Sequence, residues 1–295
     1  MKMLLRRERL LPGVFVVACL VASFSARSDL EAPKVTLPDK PKAVRFAVIG
    51  DSGTGGRQQY EVAAQMARAR QSFPFDLVVM LGDNIYGNKT AADFKRKFEE
   101  PYKALLEQGV KFYAALGNHD DPNERFYKPF NMNGQRYYTI RSGEVEFFAL
   151  DSTYLDPQQL EWLDKQLSNS RARWKICFFH HPPFSAAHYH GPDLELRKQL
   201  EPLFEKYGVN VVLSGHEHVY ERIKPRDGIY YFVLGSAGQL RPHDLRPSAE
   251  TAKGFDTDRT FMLMEASDEL YFQTFARSGK TVDSGVIPNH NGSDK

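Results

Sequence analysis

From residue 44 onward, short apolar runs alternate with stretches whose apolar residues recur at helical spacing. VRFAVIG precedes a helical pattern over 58–71, DLVVMLG precedes one over 91–108, and KFYAALG leads into a polar loop. Strand-length runs separated by helices are the grammar of βαβ units. A hairpin follows, with RYYTI and EVEFFALDS turning around Ser142-Gly143. Next come a helix over 157–169, the strand WKICFFH, a helix over 194–207 and the strand VNVVLSG. After residue 228 the helical spacing stops, and GIYYFVLG, TFMLMEAS and LYFQTFARS predict a meander. The pattern gives a mixed α/β protein, with parallel strands early and antiparallel strands late. There is no internal repeat and no low-complexity segment.

Composition adds a compartment and removes some partners. With 295 residues, 42% hydrophobic and 26% charged, the chain can build one or two domains with a full core. Its start, MKMLLRRERLLPGVFVVACLVASFSA, puts Lys2, Arg6, Arg7 and Arg9 ahead of an apolar run that ends near Ser23 and Ser25. This is the layout of a signal peptide over 1–25 and predicts a secreted or periplasmic protein. The run falls short of the roughly 20 residues of a spanning helix, so no stable membrane span is expected after cleavage. The alternatives are an uncleaved signal anchor, or a lipid anchor at Cys19, whose Val16-Val17-Ala18 context loosely resembles a lipoprotein box. Cleavage after Ser25 removes four basic residues and one acid, taking the net charge from +2 to −1. That balance gives no warrant for a nucleic-acid or anionic-membrane partner. Cys177 then stands without a disulfide partner and reads as a buried core thiol. Residues 26–43, with three prolines, read as an extended lead-in, 44–286 as the folded domain and 287–295 as a tail.

The ends of the strands carry the candidate chemistry. The first ends in Gly50-Asp51-Ser52-Gly53, the second in Gly82-Asp83-Asn84-Ile85-Tyr86 and the third in Gly117-Asn118-His119-Asp120. Two later strands end in His180-His181-Pro182-Pro183 and Gly215-His216-Glu217-His218. Taken singly, each residue has an ordinary reading: an aspartate as turn or helix cap, a histidine in the core, a tyrosine half-buried near a strand end. Taken together they point elsewhere, because open α/β sheets gather ligands outside the carboxyl ends of their strands. His216 and His218, two apart in extended backbone, point to one side. Seven of the nine histidines fall between positions 119 and 218. Four of these strand ends place glycine at the bend, where a tight turn is expected. Nitrogen and oxygen ligands without thiolate suit iron, zinc or manganese, and their number exceeds what one catalytic ion needs. Two ions are the natural count, with a carboxylate such as Asp83 able to bridge them.

With these residues the chain resembles the calcineurin-like metallophosphoesterases, and among them the purple acid phosphatases of the tartrate-resistant type. The resemblance runs from about Val44 to Ser278 through GDSG, GDNIY, GNHD, FFHHPP and GHEHVYER, and Tyr86 is its discriminating residue. It implies an α/β fold of two mixed β-sheets packed as a sandwich and flanked by helices, in four αββα layers. It also implies Fe(3+) held by Asp51, Tyr86 and His218, with Asp83 bridging to a divalent ion (Fe, Zn or Mn) held by Asn118, His180 and His216. His181 is the fallback for His180. Asn118 and His119 would contact substrate, with His119 as general acid. His190 matches a phosphate-facing histidine of animal-type enzymes, whereas His188 suits a plant-type alignment. The implied reaction is hydrolysis of small phosphate monoesters, in acid, by attack of a metal-bound hydroxide. Between Asp151 and Gln158 there is no room for the cleavable loop that represses mammalian forms, so an open site is expected.

Two other functions stay open. One is a phosphodiesterase or nucleotide hydrolase on the same metal centre, to be told apart by the loops over 121–135 and 243–258, which carry no readable code. The other is an exported metal- or phosphate-binding protein without turnover, against which the complete ligand set and His119 stand. Oligomeric state is not legible.

Overall fold

The structure, a computed structural model, describes residues 30–289, so the signal-peptide reading of 1–25 and the end of the tail lie outside the described residues. In chain order the elements begin with β1 (Val44–Ile49), α1 (Arg57–Ser72), β2 (Leu77–Met80), α2 (Ala91–Phe94), α3 (Lys103–Leu106) and β3 (Lys111–Ala114). The middle of the chain forms β4 (Tyr138–Ser142), β5 (Val145–Ala149), α4 (Pro157–Asn169), β6 (Trp174–Phe178), α5 (Leu194–Tyr207) and β7 (Val211–Ser214). Six strands follow: β8 (Tyr220–Ile223), β9 (Tyr230–Leu234), β10 (Thr251–Phe255), β11 (Thr260–Ala266), β12 (Leu270–Ala276) and β13 (Thr281–Ile287).

These strands make two mixed sheets, one of six in the order β13-β12-β11-β1-β2-β3 and one of seven in the order β10-β8-β9-β7-β6-β5-β4. β1, β2 and β3 run parallel, as do β5, β6, β7 and β9. The two sheets face each other across a shared core. Alternation along each strand sorts its side chains between that core and a helical layer outside. Phe46 and Val48 of β1 meet Trp174, Ile176 and Phe178 of β6 between the sheets. Ala47 and Ile49 face Val62 and Met66 of α1, while Cys177 and Phe179 face Leu163 of α4 and Leu200 and Phe204 of α5. Four layers result, αββα, because each sheet has a second apolar face to cover.

Three expectations need correction. GIYYFVLG does not continue into the meander: β9 lies in the seven-stranded sheet beside β7 and β8, whereas β11 crosses to the other sheet and pairs antiparallel with β1. The helix over 91–108 is broken into α2, one π turn over Lys95–Glu99, and α3. Pro101 falls at the break, and it has no N–H to continue the ladder. Finally, β8, β10 and β13 have no counterpart in the apolar pattern. β10 and β13 are sheet edges with alternating half-exposed residues, and edges do not need an apolar run.

The described part of the lead-in is tied down. Thr36 and Lys40 donate backbone N–H to Gln273 Oε1 and Glu265 Oε1 at 2.8 and 2.9 Å, and Val35 and Leu37 pack beneath α1's layer. No helix among the described residues is long and apolar enough to cross a membrane.

Candidate metal centre

The carboxyl ends of β1, β2 and β3 in one sheet meet those of β6 and β7 in the other. Backbone bonds continue past the strands: Asp51 N–H donates to Gly82 O at 3.0 Å and Gly215 N–H to His180 O at 2.9 Å. At three of these ends the left-handed turn is made by the candidate ligand itself, with φ of 52° at Asp51, 51° at Asp83 and 68° at His216. Such values are uncommon outside glycine and cluster where function holds the backbone. Of the neighbouring glycines only Gly82 has positive φ; Gly50, Gly117 and Gly215 do not. These three are needed for clearance rather than for the tight turn expected of them. A Cβ on Gly117 would lie 2.3 Å from Asp83 Oδ1, and one on Gly215 2.5 Å from Asp51 Oδ2.

The side chains form two adjoining groups. In the first, the Tyr86 hydroxyl donates to Asp51 Oδ1 at 3.1 Å and lies 3.2 Å from His218 Nε2, which is itself 3.4 Å from Asp51 Oδ1. In the second, His180 Nε2 lies 2.9 Å from Asn118 Oδ1 and 3.1 Å from His216 Nδ1. Asp83 belongs to both. Its carboxylate is within 4.8 Å of the ligand atoms of Asp51 and His218, and its Oδ1 is 3.5 Å from His180 Nε2. His180 is fully buried and its Nδ1 faces Leu81 O at 2.9 Å, so its Nε2 is turned into the group. His181, the fallback, is close enough to join His180 and His216 in a three-histidine cluster, but its Nδ1 is engaged by Ser152 Oγ at 2.9 Å.

Electrostatics follow from burial. Desolvation, and then the Asp83 charge, push the Asp51 carboxyl well above its usual range. Burial and the charges of Asp51 and Asp83 push the Tyr86 phenol far above 10. The imidazoles shift the other way. Burial, reinforced by neighbouring histidines, holds His180 and His216 far below the ordinary value, and burial together with Arg241 lowers His218 to about 4. Neutral imidazoles are the form that ligates metal.

The substrate-side residues are dispersed. His119 is exposed, with its N–H bonded to Asp83 Oδ1 at 2.9 Å and its ring 5.2 Å from that of Tyr86. His190 stacks on His216 with centroids 4.1 Å apart. His188 is not brought into the group. It is exposed and paired through Nδ1 with Arg246 Nη2.

Two supporting residues escaped sequence reasoning. Asp120 accepts from the N–H groups of Asn84, Ile85 and Gly117 at 2.8, 3.1 and 2.9 Å, lashing the end of β2 to that of β3. Glu217, fully buried between two candidate ligands, accepts from the N–H groups of His190 and Gly191 at 3.1 and 2.6 Å and so fixes His190 on His216. The one available signal was an acid inside each of the motifs GNHD and GHEH.

A set of two carboxylates, a phenol, an amide oxygen and three imidazoles, without thiolate, fits a pair of hard or borderline ions. The shared placement of Asp83 fits a bridge. Comparison with known proteins agrees with this chemistry. The calcineurin-like phosphoesterase family matches residues 44–220. Purple acid phosphatase 3 of Arabidopsis thaliana is 30% identical over 264 residues, covering 76% of this chain and 72% of that one. Among solved structures, the GAP50 anchor of the Plasmodium inner membrane complex superposes with a TM-score of 0.73 at 18% identity, over 85% of this chain and 90% of that one. A purple acid phosphatase from yellow lupin (Lupinus luteus) seeds superposes with a TM-score of 0.68 at 20% identity, over 84% of this chain and 55% of that one. These two likenesses speak to the fold alone. With its motifs clustered at the strand ends of this fold, the chain belongs to the calcineurin-like phosphoesterases and, within them, to the purple acid phosphatases.

Proposed function

We propose that this chain is an exported acid phosphatase whose metal pair combines ferric iron with a divalent ion and which acts on small phosphate monoesters. The observation that carries the reading is Asp83 lying between the Asp51–Tyr86–His218 group and the His180–Asn118–His216 group. Asp51, Tyr86 and His218 would hold the ferric ion, Asn118, His180 and His216 the divalent one, and Asp83 both. Bound there, the ions supply Lewis acidity that neutralises phosphate oxygens and lowers the pKa of water.

The remaining work falls to the chain. Asn118 and His190 would contact the phosphate, and Glu217 holds the backbone of His190. His119, fixed through its backbone to Asp83, donates a proton to the departing alkoxide. Phosphoryl transfer asks mainly for positioning and charge, which this arrangement supplies. The leader over 1–25 supports export, and N-terminal sequencing of the mature protein reads the cleavage point.

The test is a metal assay joined to a substrate panel. Purified protein should contain one iron and a second metal per chain and should cleave p-nitrophenyl phosphate in acid faster than bis-p-nitrophenyl phosphate. Full activity with a single zinc and no iron would overturn the metal assignment, and a preference for the diester would favour a phosphodiesterase.

A further inference from the structure

The loop over 243–258, silent in the sequence, folds into a cleft of about 510 Å³ that is joined to two segments carrying candidate site residues. Two sets of contacts join it there. Leu245 bridges to Ala187, His188 N–H donates to Asp244 O at 3.0 Å, and Arg246 N–H donates to Ala186 O at 3.1 Å, so the loop is laced to the segment that ends in His190. On its other side β10 pairs with β8, and Phe255 stands opposite Tyr220, two residues after His218.

The cleft is lined by His243, Arg246 and Lys253 against one acid, Asp256, whose Oδ2 already accepts from Leu245 N–H at 3.1 Å. Among the described residues neither Arg246 nor Lys253 forms an ion pair, and Arg246 has only His188 as side-chain partner. A further cation, Arg241, lies 3.4 Å over the Tyr189 ring with its Nη1 4.0 Å from Glu217 Oε2, and its N–H is bonded to His218 O at 3.0 Å. Arg246 and Lys253, without ion-pair partners on a concave surface, repel one another and gather anions.

We propose that this cleft is a second anion subsite, which receives a phosphate carried on the leaving group while the scissile phosphate lies at the metal centre. Small molecules bearing two phosphates are then the preferred substrates. The inference rests on the phosphatase reading above for its chemistry, but not for its binding.

The matched pair fructose 6-phosphate and fructose 1,6-bisphosphate tests it on the metal-loaded enzyme. Wild type should favour the bisphosphate by about tenfold in kcat/KM, mostly through KM. Arg246→Gln/Lys253→Gln should reduce that preference to about twofold, the statistical advantage of two phosphates, and leave fructose 6-phosphate within about twofold of wild type. An undiminished preference in the double variant, or an equal fall on both substrates, overturns the subsite. If wild type hydrolyses neither compound, calorimetry decides the subsite, and the phosphatase reading fails only if p-nitrophenyl phosphate is left intact as well. Inorganic tripolyphosphate should bind wild type more tightly than orthophosphate does, and the double variant should lose that advantage. Equal affinities in wild type would end the proposal.

Discussion

The phenol oxygen of Tyr86 lies 3.1 Å from Oδ1 of Asp51, although the two residues leave different strands and stand 35 positions apart. Burial and two nearby carboxylates hold the phenol in its protonated form far beyond the ordinary range. A ferric ion bound as proposed would replace that proton and give a charge-transfer band in visible light. Iron-loaded protein should therefore be violet, and Tyr86→Phe at equal iron content should be colourless with the fold intact. A violet variant would remove Tyr86 from the iron's ligands.

Asp83 and His119 should separate cleanly, since one serves both halves of the centre and the other none. Asp83→Asn should lose both metals on gel filtration. His119→Ala should keep them and lose roughly 10²–10⁴-fold in kcat, the usual worth of a positioned general acid. Metal analysis beside single-turnover kinetics makes the distinction, and equal metal loss in the two variants would refute it.

Gly215 has ordinary φ, so an alanine costs nothing in backbone conformation and its effect reads clearance alone. Its methyl would stand 2.5 Å from Asp51 Oδ2 and 3.0 Å from Leu81 O. Overpacking of that kind costs about 1–3 kcal/mol. Gly215→Ala should lower the midpoint of urea unfolding and weaken iron retention, while Gly56→Ala, with nothing closer than 3.4 Å, should do neither.

Glu124 gives a pH dependence away from the metal ligands. Burial raises its carboxyl from 4.5 to about 7 despite the Lys89 ammonium 3.4 Å away, and its Oε2 has no hydrogen-bond partner. A folded pKa above the unfolded one stabilises the protein at pH below 4.5, and that contribution is lost as pH rises through about 7. Wild type should therefore lose about 3 kcal/mol between pH 4.5 and 8 relative to Glu124→Gln. Urea unfolding of both proteins across that range measures it, and parallel curves would place the ionised form in the fold at no cost.

Strand ends were legible in the sequence because burial on both faces leaves a continuous apolar run, which stops where the ligand residue begins. DLVVMLG before Asp83 and VNVVLSG before His216 are such cases, and the hairpin at Ser142-Gly143 was marked by its own turn residues. These signals are local, so one chain suffices to read them. The sheet that β9 joins, the break at Pro101 and the edge strands β10 and β13 were decided by partners far away in sequence, which alternation does not name. The same holds at the site. Gly215 is small because Asp51, 164 residues earlier, occupies the space beside it, and His190 rather than His188 faces the centre because Glu217 holds its backbone. The sequence by itself determined which residues could bind metal, since ligand chemistry belongs to side chains. Only the tertiary structure decided which of them share an ion and what surrounds them, since clearance and charge arise where distant segments meet.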